Sequence, residues 1–379
     1  MEFDQGWILL GLPIAFALGW LASRFDLRQL KLDNQRTPKA YFKGLNHLLN
    51  EQQDQAIDAF IEAVQSDPDT SELHFALGNL FRRRGEYERA VRVHQHLLAR
   101  ADLSQSDRDR AQHALALDYL KAGLLDRAEQ ALRLLEGTAF AAMSHLALLS
   151  IYERSRDWGQ AAAMADKLAQ AGEGSFQGRQ AHYLCEQAQA LQSTEQWPPA
   201  QALLERALAL SPHNVRASLA LAQGLHRAGQ APQALALLMD LAQAKATSLP
   251  LVAPHLARWA QECQQVAPVR ALLQQAYQHT PSLDVLKALA DLTAVDDPEA
   301  VPALLLQHLD KEPSLVVASQ WMQGQTQTPE GLQKAMARAV KPFLRYRCAA
   351  CGFEATQHFW QCPGCQAWDS YPARRVEEL

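Results

Sequence analysis

A repeated spacing of small residues is the feature that most constrains how this chain can fold. Gly44 and Ala56 recur as Gly78 and Ala90, in each case 34 residues later. Throughout residues 37–344 apolar residues follow helical spacing, with no clear alternating strand pattern. Within one period the glycine and the alanine lie where two antiparallel helices can approach closely, and large apolar residues fill the remaining space. The spacing therefore predicts an all-α stack of helical hairpins.

The repeat weakens along the chain but persists. Three more degenerate units follow the sixth, and residues 37–344 correspond to about nine periods of 34 residues. The region resembles a tetratricopeptide array, which implies a superhelical solenoid with a concave surface that binds peptides or other proteins. The markers of the third to sixth units are Tyr119, Gly123 and Ala128; Tyr152, Trp158 and Ala161; Trp197, Ala200, Leu204, Ala207 and Pro212; and Gly229, Ala234 and Leu238.

Most individual residues of the array have a structural interpretation. We expect Arg82, Arg83 and Arg84 to form a solvated face. We expect Cys185 and Cys263, which lie within helical patterns, to be small core residues. The sequence contains no HExxH pair and no convincing set of nucleophile and base, so the array is predicted not to be an enzyme.

The N-terminal apolar run predicts a membrane anchor. Residues 6–22 contain no charge and would span roughly 26 Å as a helix, close to the hydrocarbon thickness of about 30 Å. No Lys or Arg precedes the run, whereas Arg24, Arg28, Lys31, Arg36, Lys39 and Lys43 follow it. This asymmetry predicts an uncleaved single-pass anchor over residues 1–23, with the N-terminus outside and the bulk of the chain in the cytoplasm. A cleaved signal peptide and a peripheral or buried helix are the alternatives. Residues 24–36 would then lie against anionic headgroups.

Four cysteines near the C-terminus predict a metal site. Cys348 and Cys351 form one CxxC pair, and Cys362 and Cys365 form a second pair ten residues later. Each pair is a short turn that directs two sulfurs at one ion, and two turns complete a tetrahedral shell of four sulfurs. Disulfide bonds are the alternative, and the predicted cytoplasmic location argues against them. A complete sulfur shell leaves no open coordination position, so hydrolytic catalysis is not expected, and His358 is interpreted as a polar loop residue and not a fifth ligand.

Residues 345–379 are predicted to form a separate small domain around this site. The order CxxCG followed by CPxC resembles the knuckles of rubredoxin, which implies one iron ion, although zinc ribbons share the spacing. Gly352 and the pair Pro363–Gly364 are expected to supply the backbone turns. The short junction at residues 342–346 predicts that the domain packs against the repeats instead of exchanging electrons. The expected aromatic core consists of Tyr346, Phe353, Phe359, Trp360, Trp368 and Tyr371.

Charge excludes some functions. The formal net charge is −5 and the sequence pI is near 6.2, so the composition gives no indication of nucleic-acid binding. A nucleic-acid-binding zinc ribbon needs a basic surface, but residues 346–375 carry only a thin basic surplus. An electron carrier with redox-active iron remains an alternative function.

The order of the parts resembles the lipopolysaccharide assembly protein B family over the whole chain. The similarity is carried by the acidic N-terminus before GWILLGLPIAFALGW, by PKAYFKGLNHLLNEQQDQAIDAFI, and by CxxCGF followed by WQCPGC. It implies a non-enzymatic inner-membrane adaptor that faces the cytoplasm of a Gram-negative bacterium. Such an adaptor presents the deacetylase of the committed lipid A step to a membrane-anchored AAA+ protease. The similarity also implies contacts with later lipopolysaccharide assembly proteins, and with an inner-membrane regulator through the anchor.

Overall fold

The computed structural model describes Phe16, Trp20 and residues 42–66, 70–325 and 327–379. The predicted anchor and the basic segment that follows it therefore lie outside the described residues, apart from Phe16 and Trp20, which are helical and exposed. Within the described ranges, no single helix has the length and hydropathy to cross a bilayer. The helical segments Ala231–Ala244 and Ala246–Glu262 are long and apolar enough only when taken together, and the pair is bent by 120°.

The chain divides into two compact units, Met1–Glu173 and Gly174–Leu379. In unit 1 the described part of helix α1 covers residues 42–49. The other helices of this unit are α2 (Gln53–Ser66), α3 (Ser71–Arg84), α4 (Tyr87–Leu98), α5 (Gln105–Lys121), α6 (Leu125–Arg133), α7 (Ala141–Ser155) and α8 (Trp158–Gln170). Successive helices pack as the hairpins α3/α4, α5/α6 and α7/α8. Gly85 ends α3 in the left-handed conformation, with φ of 85°, which glycine adopts without strain.

Small residues allow the helices of a hairpin to approach closely, as the sequence predicts. A Cβ atom at Gly78 would lie 2.5 Å from the ring of His94 on α4, and one at Gly44 would lie 2.9 Å from the ring of Phe60 on α2. Ala56 and Ala90, the second small position of each period, are fully buried. The first two periods of the sequence therefore correspond to hairpins whose spacing depends on the absence of a side chain.

A buried polar network in unit 1 corrects one prediction. His94 Nδ1 lies 2.5 Å from Asp118 Oδ2, and both side chains are fully buried. Arg82 donates to the other oxygen of Asp118 at 2.7 Å and to the carbonyl of Ala114 at 3.0 Å. The prediction that Arg82 belongs to a solvated face is therefore wrong, because the buried carboxylate of Asp118 holds its guanidinium at the helix interface. Arg83 is exposed as predicted.

Unit 2 contains ten helices, all within the described residues, and the C-terminal domain. The helices are α9 (Gln177–Ser193), α10 (Trp197–Leu210), α11 (Val215–Arg227), α12 (Ala231–Ala244), α13 (Leu249–Glu262), α14 (Val266–His279), α15 (Leu283–Asp296), α16 (Val301–Leu309), α17 (Leu315–Gln323) and α18 (Glu330–Ala339). One hydrophobic core runs through α9–α15 and includes the buried side chains of Leu256 and Trp259. Cys185 is buried in this core as predicted, whereas Cys263, just past the end of α13, is only half-buried.

The C-terminal domain contains little regular structure. Strand β1 (Tyr346–Arg347) pairs antiparallel with β2 (Glu354–Ala355), with Tyr346 opposite Ala355. An isolated bridge joins Gln361 to Trp368, and a 3₁₀ turn covers Val376–Glu378. A domain of this size has too small a hydrophobic core to be stable by burial alone.

Candidate metal centre

The structure brings the four predicted cysteines together. Their sulfurs all lie within 4.8 Å of one another. Cys348 Sγ lies 3.8 Å from Cys365 Sγ, and Cys351 Sγ lies 3.7 Å from Cys362 Sγ. A metal bound tetrahedrally to four sulfurs at about 2.3 Å places neighbouring sulfurs about 3.8 Å apart. The donor set and its spacing therefore fit one tetrathiolate-bound ion, and either iron or zinc accepts this geometry.

Two similar backbone turns build the site. In the first, the N–H of Gly352 donates to the carbonyl of Cys348 at 2.9 Å, and Gly352 has φ of 77°. In the second, the N–H of Gln366 donates to the carbonyl of Cys362 at 2.8 Å, and Gln366 has φ of 61°. The prediction that Pro363–Gly364 supplies the second turn misses this residue, since Gln366 occupies the left-handed position equivalent to Gly352. Both residues lie four positions after the first cysteine of their pair, and that offset is the signal that could have identified Gln366.

The cysteines differ in exposure and in pKa. Cys348 and Cys362 are buried, whereas Cys351 and Cys365 are exposed. Burial opposes ionisation of Cys348, but a hydrogen bond with Ser370 and backbone N–H groups outweigh it and lower the pKa to about 6. The N–H of Phe353 favours the Cys351 thiolate, but burial and the neighbouring sulfurs outweigh it and raise the pKa of Cys351 to about 12. Four adjacent thiolates repel one another, so all four can be ionised together only beside a cation. A bound metal ion supplies that positive charge.

His358 and the predicted aromatic residues differ in how deeply they are buried around the four cysteines. His358 lies in a loop, as predicted, and its Nε2 donates to the carbonyl of Tyr371 at 3.1 Å. Its ring packs edge-on against Tyr346 and Trp360, and burial lowers the pKa of His358. Tyr346 and Tyr371 are buried with Cys348 and Cys362. Phe353 is 44% exposed, so the prediction that it belongs to the aromatic core is wrong. A Cβ atom added at Gly364 would lie 3.5 Å from the Phe353 side chain.

Trp368 and Asp369 attach the domain to α9. The ring of Trp368 stacks on that of His182, with centroids 4.7 Å apart, and His182 Nε2 donates to Asp369 Oδ2 at 2.8 Å. Burial raises the pKa of Asp369, but the hydrogen bond from His182 outweighs it, so the pKa is below its ordinary value. The Arg216 guanidinium on α11 lies over the Trp368 ring, 6.0 Å from its centroid. The domain therefore packs against the repeats of unit 2.

A second attachment lies on α15. The Arg375 guanidinium donates to both oxygens of Asp284, at 2.8 and 2.9 Å, and lies 4.2 Å from the Tyr346 ring centroid. These contacts were not predicted, because His182 and Asp369 are 187 residues apart and no spacing in the sequence connects them. Packing onto the repeats was expected from the short junction, but the residues that carry it were not.

Comparisons with known proteins agree with both parts of the fold. A family described as "Rubredoxin metal binding domain" matches residues 346–371. Families described as "Tetratricopeptide repeat" match residues 73–109 and 191–258. A solved tetratricopeptide repeat protein from Parabacteroides merdae is 13% identical and covers 68% of this chain and 99% of its own, with a TM-score of 0.36.

The helical hairpins and the four-cysteine domain define a tetratricopeptide-repeat protein with a C-terminal rubredoxin-like metal-binding domain. Lipopolysaccharide assembly protein B of Escherichia coli (strain K12) is 31% identical over 385 residues, covering 98% of this chain and 99% of its own. The Haemophilus influenzae protein of the same name is 31% identical over 383 residues, covering 96% of each chain. The chain belongs to the lipopolysaccharide assembly protein B family.

Proposed function

We propose that this protein is a non-enzymatic inner-membrane adaptor that regulates lipopolysaccharide biosynthesis. It promotes proteolysis of the lipid A pathway deacetylase by a membrane AAA+ protease, and it coordinates lipopolysaccharide assembly with other proteins of the inner membrane. The observation that carries the proposal is the similarity to lipopolysaccharide assembly protein B over 98% of the chain. The repeat fold supports it, because stacked hairpins of this kind expose extended surfaces for protein partners.

The proposed arrangement has four segments. Residues 1–23 anchor the chain in the inner membrane with the N-terminus in the periplasm, and residues 24–36 lie along the cytoplasmic surface. Residues 37–344 form the adaptor, and residues 345–379 form the metal-binding domain. Anchoring confines the adaptor beside membrane-bound partners and raises their effective concentration without any new contact.

The proposed cofactor is one metal ion bound by Cys348, Cys351, Cys362 and Cys365. We propose iron, because the two turns resemble those of rubredoxin, with zinc as the alternative. The 3.7 and 3.8 Å sulfur separations support this assignment. The contacts of Trp368, Asp369 and Arg375 with the repeats support a structural role for the ion.

Co-purification from membranes tests the adaptor proposal. The full chain is compared with a variant that lacks residues 1–23 and with a variant that carries an unrelated single-pass helix in their place. We expect the deacetylase and the protease to co-purify with the full chain and to be reduced without an anchor. Recovery with the unrelated helix indicates that anchoring alone is sufficient. Absence of both proteins from the full-chain sample contradicts the proposal.

A second candidate function is electron transfer, and the exposure of Cys351 and Cys365 favours it, since a partner could approach two of the sulfurs. Reversible bleaching of an iron–thiolate absorption band by reductant, coupled to turnover of a partner enzyme, would support this function. A protein that contains only zinc would exclude it, because zinc has no redox chemistry.

A further inference from the structure

The last five residues of the chain, 375–379, which we call the tail, lie across the N-termini of α15 and α17. The carboxylate of Glu377 accepts hydrogen bonds from the N–H of Leu315 at 2.6 Å and from the hydroxyl of Ser314 at 2.7 Å. The N–H of Val316 lies 3.2 and 3.3 Å from its two oxygens. The carboxylate of Glu378 accepts from the N–H of Leu283 at 2.9 Å. Two adjacent carboxylates of the tail thus bind two helix N-termini.

These N-termini form a carboxylate-binding surface. The first N–H groups of a helix have no partner within the helix and carry a partial positive charge, so they favour anions. At α15 the usual capping group is not used. Ser282 occupies the N-cap position, but its buried hydroxyl makes no cap and has no hydrogen-bond partner among the described residues. Glu378 caps α15 in its place.

The surroundings of this surface are basic. A cleft of about 520 Å³ lies beside the tail, between α15, α17 and the start of the metal domain. Among the residues described, its lining holds three basic side chains outside the tail, Lys287, Lys341 and Arg345, and one carboxylate, Asp284, which pairs with Arg375 of the tail. Leu283, Val316 and Val317 give it apolar walls. An acidic segment with some apolar side chains therefore complements both the charge and the lining of this region.

The metal domain positions the tail. The N–H of Val376 donates to the carbonyl of Arg345 at 2.7 Å, next to the first strand of the domain. The guanidinium of Arg375 packs on Tyr346 and donates to the carbonyl of Leu344 at 2.8 Å. A domain of about thirty residues with so small a core depends on its metal to stay folded. Loss of the metal would remove the structure that aligns the tail with α15 and α17.

We propose that the tail is a metal-dependent latch: it covers a carboxylate-binding surface at the N-termini of α15 and α17, and release of the metal uncovers that surface for an acidic segment of a partner protein. This inference rests on the proposed metal site. The tail is covalently tethered, so its effective concentration at the surface is on the order of millimolar, and a partner segment competes only once the tail is released. Because coupling between two binding events is reciprocal, weakening the latch must also weaken metal binding.

Amide hydrogen exchange on the full chain, with and without metal, tests the latch. On removal of the metal by a chelator we expect at least tenfold faster exchange at Leu283, Leu315 and Val316, with the core amides of α13 unchanged. Unchanged exchange at the three amides overturns the proposal. Loss of protection throughout unit 2 also overturns it, because the metal would then support the whole unit and not the tail.

Two double variants test the reciprocal effect. Glu377→Gln with Glu378→Gln should lower metal affinity about tenfold in a competition titration with a chromophoric chelator, within the usual range of coupling. The matched control, Glu299→Gln with Glu312→Gln, changes two exposed glutamates of the neighbouring repeats and should leave the affinity unchanged. Equal affinities for both double variants overturn the coupling. If the unaltered chain binds no metal, the proposed metal site is wrong. Faster amide exchange at Leu283 and Leu315 in the Glu377→Gln, Glu378→Gln variant would still show that the tail contacts exist.

A synthetic peptide identifies the ligand of the uncovered surface. The probe is the acetylated heptapeptide Ala-Arg-Arg-Val-Glu-Glu-Leu, which has the sequence of residues 373–379. At millimolar concentration it should restore protection at Leu283 and Leu315 in the Glu377→Gln, Glu378→Gln variant. The same peptide with glutamine at both glutamate positions should not. No protection by the peptide that contains both glutamates, or protection only by phosphatidylglycerol vesicles, overturns the assignment to a carboxylate-bearing protein segment.

Discussion

Replacement of Gly78 by alanine probes the close approach of helices in unit 1. The new Cβ atom would lie 2.5 Å from both Cε1 and Nε2 of His94. The ring cannot rotate away without breaking its 2.5 Å contact with the buried Asp118. Gly159 in α8 is a matched control, because the nearest atom to its added Cβ is Asp157 Oδ1 at an ordinary 3.7 Å.

The magnitude follows from three opposing effects. Alanine gains about 1 kcal/mol over glycine in helix propensity. Overpacking costs about 1–3 kcal/mol, and disturbing a hydrogen bond to a charged group costs about 1.5–3 kcal/mol. We therefore expect Gly78→Ala to lower the free energy of local unfolding by about 3 kcal/mol, whereas Gly159→Ala raises it by about 0.5 kcal/mol.

Hydrogen exchange of the amides of α3, α4 and α5 measures this local free energy, which is appropriate because repeat arrays unfold in segments. In a His94→Ala background the clash is absent, so Gly78→Ala should no longer destabilise these helices. This double-mutant cycle separates the steric effect from a general intolerance of substitution. Equal effects of Gly78→Ala and Gly159→Ala, or the same loss in both backgrounds, would refute the reasoning.

Three further predictions concern charges and thiols. Arg82→Met should destabilise unit 1 by about 3 kcal/mol in urea unfolding, because it leaves the buried carboxylate of Asp118 without its cation. The control Arg83→Met, at an exposed position, should have little effect. The hydrogen bond from His182 lowers the pKa of Asp369, so the stability that the ionised carboxylate contributes is fully present above the ordinary value of 3.8 and is lost as the pH falls through the lowered pKa. Asp369→Asn should remove this part of the acid transition in tryptophan fluorescence. Burial raises the pKa of Cys185 to about 12, so mass spectrometry should find it unmodified by iodoacetamide at about pH 8 until urea unfolds the chain.

The features that the sequence predicted well are those with short-range spacing. Each CxxC pair directs its two sulfurs at one point through its own short turn. The four-sulfur cluster could therefore be predicted without knowing the rest of the fold. The small residues at Gly44 and Gly78 likewise report a contact with the next helix along the chain. In both cases the information lies within about one repeat.

The features that the sequence did not predict depend on contacts between distant segments. Arg82 looks like part of an exposed basic run, but its environment is set by Asp118 on another helix. The contacts of Asp369 with His182 and of Arg375 with Asp284 join residues that are 187 and 91 positions apart. Repeat periodicity specifies neither which repeats receive the metal domain nor which side chains hold it there.

Sulfur coordination of the purified chain is the most direct test of the central claim, that four cysteines bind one ion and organise the C-terminal domain on the repeats. X-ray absorption spectroscopy, with elemental analysis of the same sample, gives the metal, its stoichiometry and its ligands. We predict one iron or zinc per chain with four sulfurs at about 2.3 Å. A site with nitrogen or oxygen ligands, or a metal-free chain in which Cys348, Cys351, Cys362 and Cys365 form disulfides, would contradict the account.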